Sequence, residues 1–155
     1  MKQVILLRHG EAELSAVLDF KRHLTSNGKK QLNNLGQSLK LRSIEIDLLY
    51  CSSSLRTLET AEIIQNHIPI AKVYYEKDIY SGNLETLLTL LEKTPSSVQH
   101  CLLIGHNPAI SLLTTYLTSG EYIALKPGMM AILELEVEEW SMIGVNTATL
   151  REVIS

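Results

Sequence analysis

Val4-Ile5-Leu6-Leu7-Arg8-His9-Gly10-Glu11 is the stretch that decides the fold. Four consecutive apolar residues read as a short strand buried on both faces, the pattern of a parallel sheet covered on either side. The run ends in a cation, an imidazole and a glycine. Those groups stand at the strand's carboxyl end, where open α/β sheets bind their ligands. Gly10, with no Cβ, permits a sharp turn at positive φ or a close approach of a ligand. A second run, Cys101-Leu102-Leu103-Ile104, ends alike in Gly105-His106-Asn107-Pro108. Either histidine alone would read as a turn residue satisfied by backbone groups. The pair, with Arg8 beside one of them, reads as a two-imidazole site.

Outward from these strands, strand and helix signals alternate. Glu11 to His23 shows little periodicity and reads as a loop. Thr25-Ser26 can cap a helix over Asn27–Leu41, with Leu32, Leu35 and Leu39 on one stripe. Asp47–Cys51 reads as a strand, and Ser52-Ser53-Ser54 offers N-caps for a helix over Leu55–Asn66 that stops before Pro69. Ala71–Glu76 is a further strand. Leu84, Leu87, Leu88 and Leu91 fall at i, i+3, i+4 and i+7, which predicts an amphipathic helix over Asn83–Lys93. Asn107 reads as an N-cap, with Pro108 at the first position of a helix burying Ile110, Leu113 and Leu117. Met129–Val137 and Thr147–Val153 look β-rich, and the alternation of Glu134, Glu136 and Glu138 suits a sheet edge with one wet face. The expected architecture is α/β, a three-layer sandwich with a mostly parallel central sheet.

The chain has 155 residues, 45% of them hydrophobic and 20% charged, the balance of a soluble globular protein. Its length suits one domain spanning 1–155, with no linker or repeat. A net charge of −3 argues against nucleic-acid binding, which asks for a basic face. No run reaches the roughly 20 apolar residues of a membrane span, and Arg8 interrupts the only N-terminal apolar run, so neither a membrane anchor nor a signal peptide is expected. Cys51 and Cys101 fall within strands and read as reduced core thiols of a cytoplasmic protein. The five histidines lack metal-ligand spacing.

Three strand-to-helix junctions carry polar groups: Arg8-His9-Gly10, Ser52 through Arg56, and Gly105-His106-Asn107. If their strands are neighbours, the junctions converge. Helix N-termini add unpaired N–H groups and partial positive charge. With guanidinium forks among them, the whole fits a dianion such as phosphate. An imidazole there can accept a phosphoryl group on nitrogen. Arg56 opens a helix, where a cation is unfavourable unless it faces an anion.

Leu7-Arg8-His9-Gly10-Glu11, Ser52 through Arg56 with Thr60-Ala61, and Gly105-His106-Asn107 together resemble the histidine phosphatase superfamily, of phosphoglycerate-mutase-like fold. The chain is most similar to its small SixA-type phosphohistidine phosphatases. Asp19, Arg22, Leu24, Thr25 and Gly28 match an Asp-x-x-Arg-x-Leu-Thr-x-x-Gly stretch of that branch, and Trp140 matches a Trp in its C-terminal β region. The resemblance implies His9 as the phosphorylated nucleophile. It implies Arg8, Arg56 and His106 as phosphoryl ligands, with Arg22 a further one and Asn107 contributing its backbone N–H. Arg22 also reads as part of a solvated Lys21-Arg22-His23 loop. Glu11 belongs to the pattern without a phosphate role, and His23, His67 and His100 match no motif.

The larger family's mutases carry a Glu general acid after the third strand. Here Asp78-Ile79-Tyr80-Ser81-Gly82-Asn83-Leu84-Glu85 stands instead, and Glu85 falls at the second position of a helix, where the helix dipole alone explains a carboxylate. The implied activity is metal-independent hydrolysis of phosphohistidine on a signalling or phosphotransfer protein, with no cofactor. The rival readings are a small-molecule phosphomonoesterase and a catalytically weak phosphate-binding protein.

Overall fold

The computed structural model describes all 155 residues. Six strands form one sheet in the order β3-β2-β4-β1-β5-β6. They are β1 (Gln3–Arg8), β2 (Ile46–Ser52), β3 (Ile70–Glu76), β4 (His100–Gly105), β5 (Met130–Leu135) and β6 (Ala148–Ile154). The first four run parallel, and β5 and β6 are antiparallel additions. This is the mostly parallel α/β sandwich that the sequence predicts.

Side-chain alternation along the strands splits the core in two. Ile5, Leu7, Leu49, Cys51, Leu102 and Ile104 face α1 (Ser26–Leu41) and α2 (Leu55–His67). Val4, Leu6, Leu48, Tyr50, Cys101 and Leu103 face the other layer, which holds α3 (Lys77–Ser81), α4 (Leu84–Glu92), α5 (Ala109–Thr118) and the buried Trp140. Each central strand therefore carries apolar residues on both faces along its middle. Leu32, Leu35 and Leu39 form the buried stripe of α1, and Leu87 and Leu91 the buried face of α4. The Thr25 hydroxyl accepts from Gly28 N at 2.9 Å to cap α1, and the Asn83 side chain accepts from Thr86 N to cap α4. No helix is long and apolar enough to cross a membrane.

Register places the site. Arg8 pairs with Gly105, and Cys51 with Ile104, so β1, β4 and β2 end side by side. Their sequence neighbours beyond the ends are His9, His106 and the Ser52–Arg56 junction.

Three local expectations change. β5 is an interior strand between β1 and β6, and only Glu134 interrupts its burial. The edge is β6, and the wet position is met by Arg151, whose Nη2 bonds Glu134 at 2.6 Å. Asn107 does not cap α5: Pro108 holds the cap position, and the Asn107 side chain turns instead to Leu125 O and Ser111 Oγ at 2.8 and 2.6 Å. The polar partners offered by the 119–129 segment and α5 outcompete local capping. Finally, Lys77–Ser81 is a helical turn that carries no periodic signal, because only Ile79 in it is buried.

Candidate active site

His9 is 6% exposed, immediately after the end of β1. Its Nδ1 lies 2.7 Å from Gly10 O. A carbonyl only accepts, so Nδ1 carries the proton and Nε2 carries the lone pair. Nε2 points at Arg56, whose Nε donates to it at 3.4 Å. Burial, with Arg56, Arg8 and Arg22 nearby, depresses the His9 pKa to about 4 despite the Gly10 bond. The ring is thus neutral at pH 7, with Nε2 free to attack an electrophile.

Arg56 opens α2 but is buried, because the helix starts at the floor of the pocket. Its Nη2 lies 3.5 Å from His106 Nδ1. Nε and Nη2 form one edge of the guanidinium fork, so that edge faces both imidazoles. Receiving a donor on Nδ1, His106 carries its proton on Nε2 and donates it to Ser52 Oγ at 2.7 Å. The two rings stand 5.3 Å apart between centroids. Burial, then His9 and Arg56, push His106 down to about 3. Two neutral imidazoles therefore flank a guanidinium, and bringing in a dianion would offset the cost of crowding these groups away from water.

Arg8 projects from the end of β1. Its Nη1 donates to Leu125 O at 3.0 Å, and the same carbonyl accepts from Asn107. Its Nε is buried and bonds to nothing in the protein, a donor suited to an anion. Burial and the Arg56 charge lower its pKa. Arg22 approaches from the loop before α1. Its Nε donates to Asp19 Oδ1 at 3.0 Å and its Nη1 to Glu13 O at 2.6 Å. It is held by the loop, not free in solvent, and close enough to His9 to depress its pKa.

The surrounding loops are fixed by polar ties. Thr60 Oγ1, one turn into α2, accepts from Gly10 N at 3.1 Å and donates to Arg56 O at 2.7 Å, locking the His9 turn to the Arg56 helix. Gly10 is needed for a different reason than expected. It does not adopt a positive φ; a Cβ there would lie 2.6 Å from Leu32 Cδ1. The positive φ belongs to Gly128, at +79°, whose N–H reaches both Arg8 O and His9 O. Glu11 is a brace, taking Thr25 Oγ1 at 2.8 Å and Asn27 Nδ2 at 3.1 Å.

Measured against known proteins, residues 4–89 match the model of the histidine phosphatase superfamily, branch 1. The chain belongs to the histidine phosphatase superfamily. Over 122 residues it is 30% identical to phosphohistidine phosphatase SixA of Escherichia coli strain K12, covering 77% of this chain and 76% of that one. A structure of the protein histidine phosphatase SixA complexed with tungstate superposes with a TM-score of 0.86 at 25% identity, over 99% of this chain and 96% of that one. A phosphoglycerate mutase from Plasmodium falciparum shares the fold, with a TM-score of 0.65 at 23% identity over 97% and 89% of the two chains. This histidine phosphatase is accordingly a SixA-type hydrolase, and superfamily membership fits an active site that needs no metal.

Within this histidine phosphatase, the structure brings Arg8, His9, Arg56 and His106 into one pocket and sets Arg22 at its rim. Asn107 lies behind Arg8 and touches the pocket through Leu125. Glu85 lines a separate groove with Asp78, Asn83 and Thr86 and makes no bond to the cluster. Sequence reasoning gave no role to three residues the pocket contains. Ser52 and Asp19 lay inside quoted motifs. Tyr80 carried no signal: its hydroxyl donates to Asp19 Oδ2 at 2.6 Å, and its ring edge meets His106 at 5.5 Å.

Proposed function

We propose that this phosphatase hydrolyses phosphohistidine on another protein, through a phosphorylated His9. The carrying observation is the pairing of an unprotonated His9 Nε2 with a cluster carboxylate that is held ionised and so is no acid for an alkoxide. Asp19 is the carboxylate hydrogen-bonded to the cluster, and bonds from Tyr80, Arg56 and Arg22 hold its pKa below the usual carboxylate range. Protonating an alkoxide typically contributes 10²–10⁴-fold, and a carboxylate held ionised has no proton to give. An imidazole whose second nitrogen already carries a proton leaves as a neutral ring and needs no such donor.

In the first step His9 Nε2 gives its lone pair to phosphorus, and the substrate P–N bond breaks with its electron pair going to the departing imidazole. The Nδ1–H of the phosphorylated His9 remains bonded to Gly10 O. In the second step water attacks phosphorus, the P–Nε2 bond breaks, and His9 returns to its neutral form while inorganic phosphate and a proton are released. Arg8, Arg56 and His106 neutralise charge on the equatorial oxygens, with Arg22 and the Asn107 N–H assisting at the rim. The names of the E. coli and tungstate-bound relatives support the same substrate class. The natural substrate in this reading is a His-containing phosphotransfer protein. The reaction takes place in the cytoplasm, which two buried free thiols suit.

The test compares phosphate release from a phosphohistidine-bearing phosphotransfer protein with release from sugar phosphates. Preference for the protein is expected. Equal or better turnover of sugar phosphates would overturn this reading in favour of a small-molecule phosphomonoesterase.

A further inference from the structure

The Arg56 fork has two edges, and Asp19 occupies the one that does not face the imidazoles. Asp19 O accepts from Nη1 at 3.0 Å and Asp19 Oδ2 accepts from Nη2 at 3.2 Å. With that side held, the Nε–Nη2 edge is turned toward His9 Nε2 and His106 Nδ1. Asp19 also takes Arg22 Nε on Oδ1 and the Tyr80 hydroxyl on Oδ2. Tyr80 in turn walls the guanidinium, 5.9 Å from ring centroid to Cζ. The residue sits on the 3₁₀ turn Asp19–Lys21, with its side chain 54% exposed. One carboxylate on a surface loop thus gathers both pocket arginines that do not belong to β1.

We propose that Asp19 is a positioning residue: it holds the Arg56 fork from behind so that its bidentate edge meets the transferring phosphoryl group, and it draws Arg22 to the rim. The proposal rests on reading the His9–Arg56–His106 pocket as the phosphoryl site. A planar fork grips phosphate only when its edge is aligned, since the second hydrogen bond depends on orientation. A free Arg56 would sample several rotamers beside two other cations, and the phosphoryl group would have to order it on arrival. Asp19 removes that cost before substrate binds. Its negative charge also lets three guanidinium groups share one pocket.

The competing role is a mimic of phosphate, in which the Asp19 carboxylate would hold Arg56 away from substrate. The two roles predict opposite signs. Asp19→Ala is at a surface turn and is expected to fold. Under the positioning role it lowers kcat/KM on an aryl phosphate about 10- to 100-fold, mainly in kcat, and weakens inorganic phosphate binding by calorimetry. Asp19→Asn keeps an acceptor for Arg56 and recovers to within about tenfold of wild type. In an Arg56→Ala background the same Asp19→Ala change costs less than about threefold, because its effect passes through Arg56. The Arg56 Nε–H resonance, sharp in wild type, exchanges faster in Asp19→Ala.

Tighter phosphate binding by Asp19→Ala would overturn the proposal in favour of a mimic. An undiminished loss in the Arg56→Ala background, or an unchanged Arg56 Nε–H resonance, would overturn it in favour of a structural role elsewhere. A wild-type protein that binds phosphate and cleaves aryl phosphates but ignores phosphohistidine protein would instead defeat the substrate reading and leave this test standing.

Discussion

Arg56 Nε lies 3.4 Å from His9 Nε2 across 47 residues of chain. A guanidinium can only donate, so this contact marks the unprotonated nitrogen of His9. The Gly10 carbonyl marks the protonated one from the other side of the ring. The proposed nucleophile and the proposed phosphoryl ligand thus share one hydrogen bond.

A phosphoryl group trapped on His9 is expected on Nε2 alone, because Nδ1 is committed to Gly10 O. The intermediate should be acid-labile and base-stable, and phosphorus NMR of the denatured protein should show the Nε2 isomer. His9→Ala should fold, since it removes no core apolar group, and should lose turnover. Phosphate found on Nδ1, or turnover retained by the variant, would rule out this arrangement.

Arg56→Ala is expected to lower kcat/KM by about 10²–10³-fold, the scale of one electrostatic donor to a developing charge. Arg56→Lys should restore little, because an ammonium cannot reach toward both imidazoles along one edge. Steady-state rates on an aryl phosphate decide it, and a lysine variant close to wild type would show that charge alone suffices.

Stability should fall in mild acid. His9 and His106 titrate at about 4 and about 3 in the folded protein, against about 6.5 unfolded. Between these values the unfolded chain binds more protons, so the free energy of unfolding rises with pH. The contribution is complete above about pH 6.5 and is lost as pH drops through the folded values, at up to about 1.4 kcal/mol per pH unit for each ring. Urea midpoints measured from about pH 7.5 down to about pH 4.5 should slide downward, and His9→Gln with His106→Gln should flatten the slope. A flat wild-type profile would contradict the buried neutral rings.

The rate should depend on the leaving group. Phosphohistidine is expected to be cleaved well, an aryl phosphate moderately and an alkyl phosphate poorly. Glu85→Gln should change this little, since Glu85 sits in the first turn of α4, away from the cluster, and its dipole interaction is worth about 0.3–1 kcal/mol. The measurement is rate against leaving-group pKa in both proteins. A shallow wild-type slope that steepened in Glu85→Gln would make Glu85 a general acid.

The local sequence determined a good deal. Four apolar residues in a row demand a strand covered on both faces, and β1 and β4 are such strands because no polar side chain interrupts them. The leucine spacing of α1 and α4 follows from helical periodicity alone, and Thr25 caps where a hydroxyl before a helix is expected. Arg8, His9, Arg56 and His106 were legible because each sits at the end of such an element.

Tertiary structure decided what depended on partners distant in sequence. Strand register, not any motif, put Arg8 beside Gly105 and so brought the two histidine rings within 5.3 Å of each other. Asn107 reads as a cap until Leu125 and Ser111 compete for its amide, and Gly10 reads as a turn until Leu32 packs against it. Asp19 and Tyr80 lie 61 residues apart, the first exposed and the second half-buried, so neither periodicity nor burial pattern could join them. Local sequence encodes which elements form, because that rests on near-neighbour sterics and hydrophobic spacing. The polar geometry of the pocket rests on hydrogen bonds between loops, and these exist only once the sheet has brought the loops together.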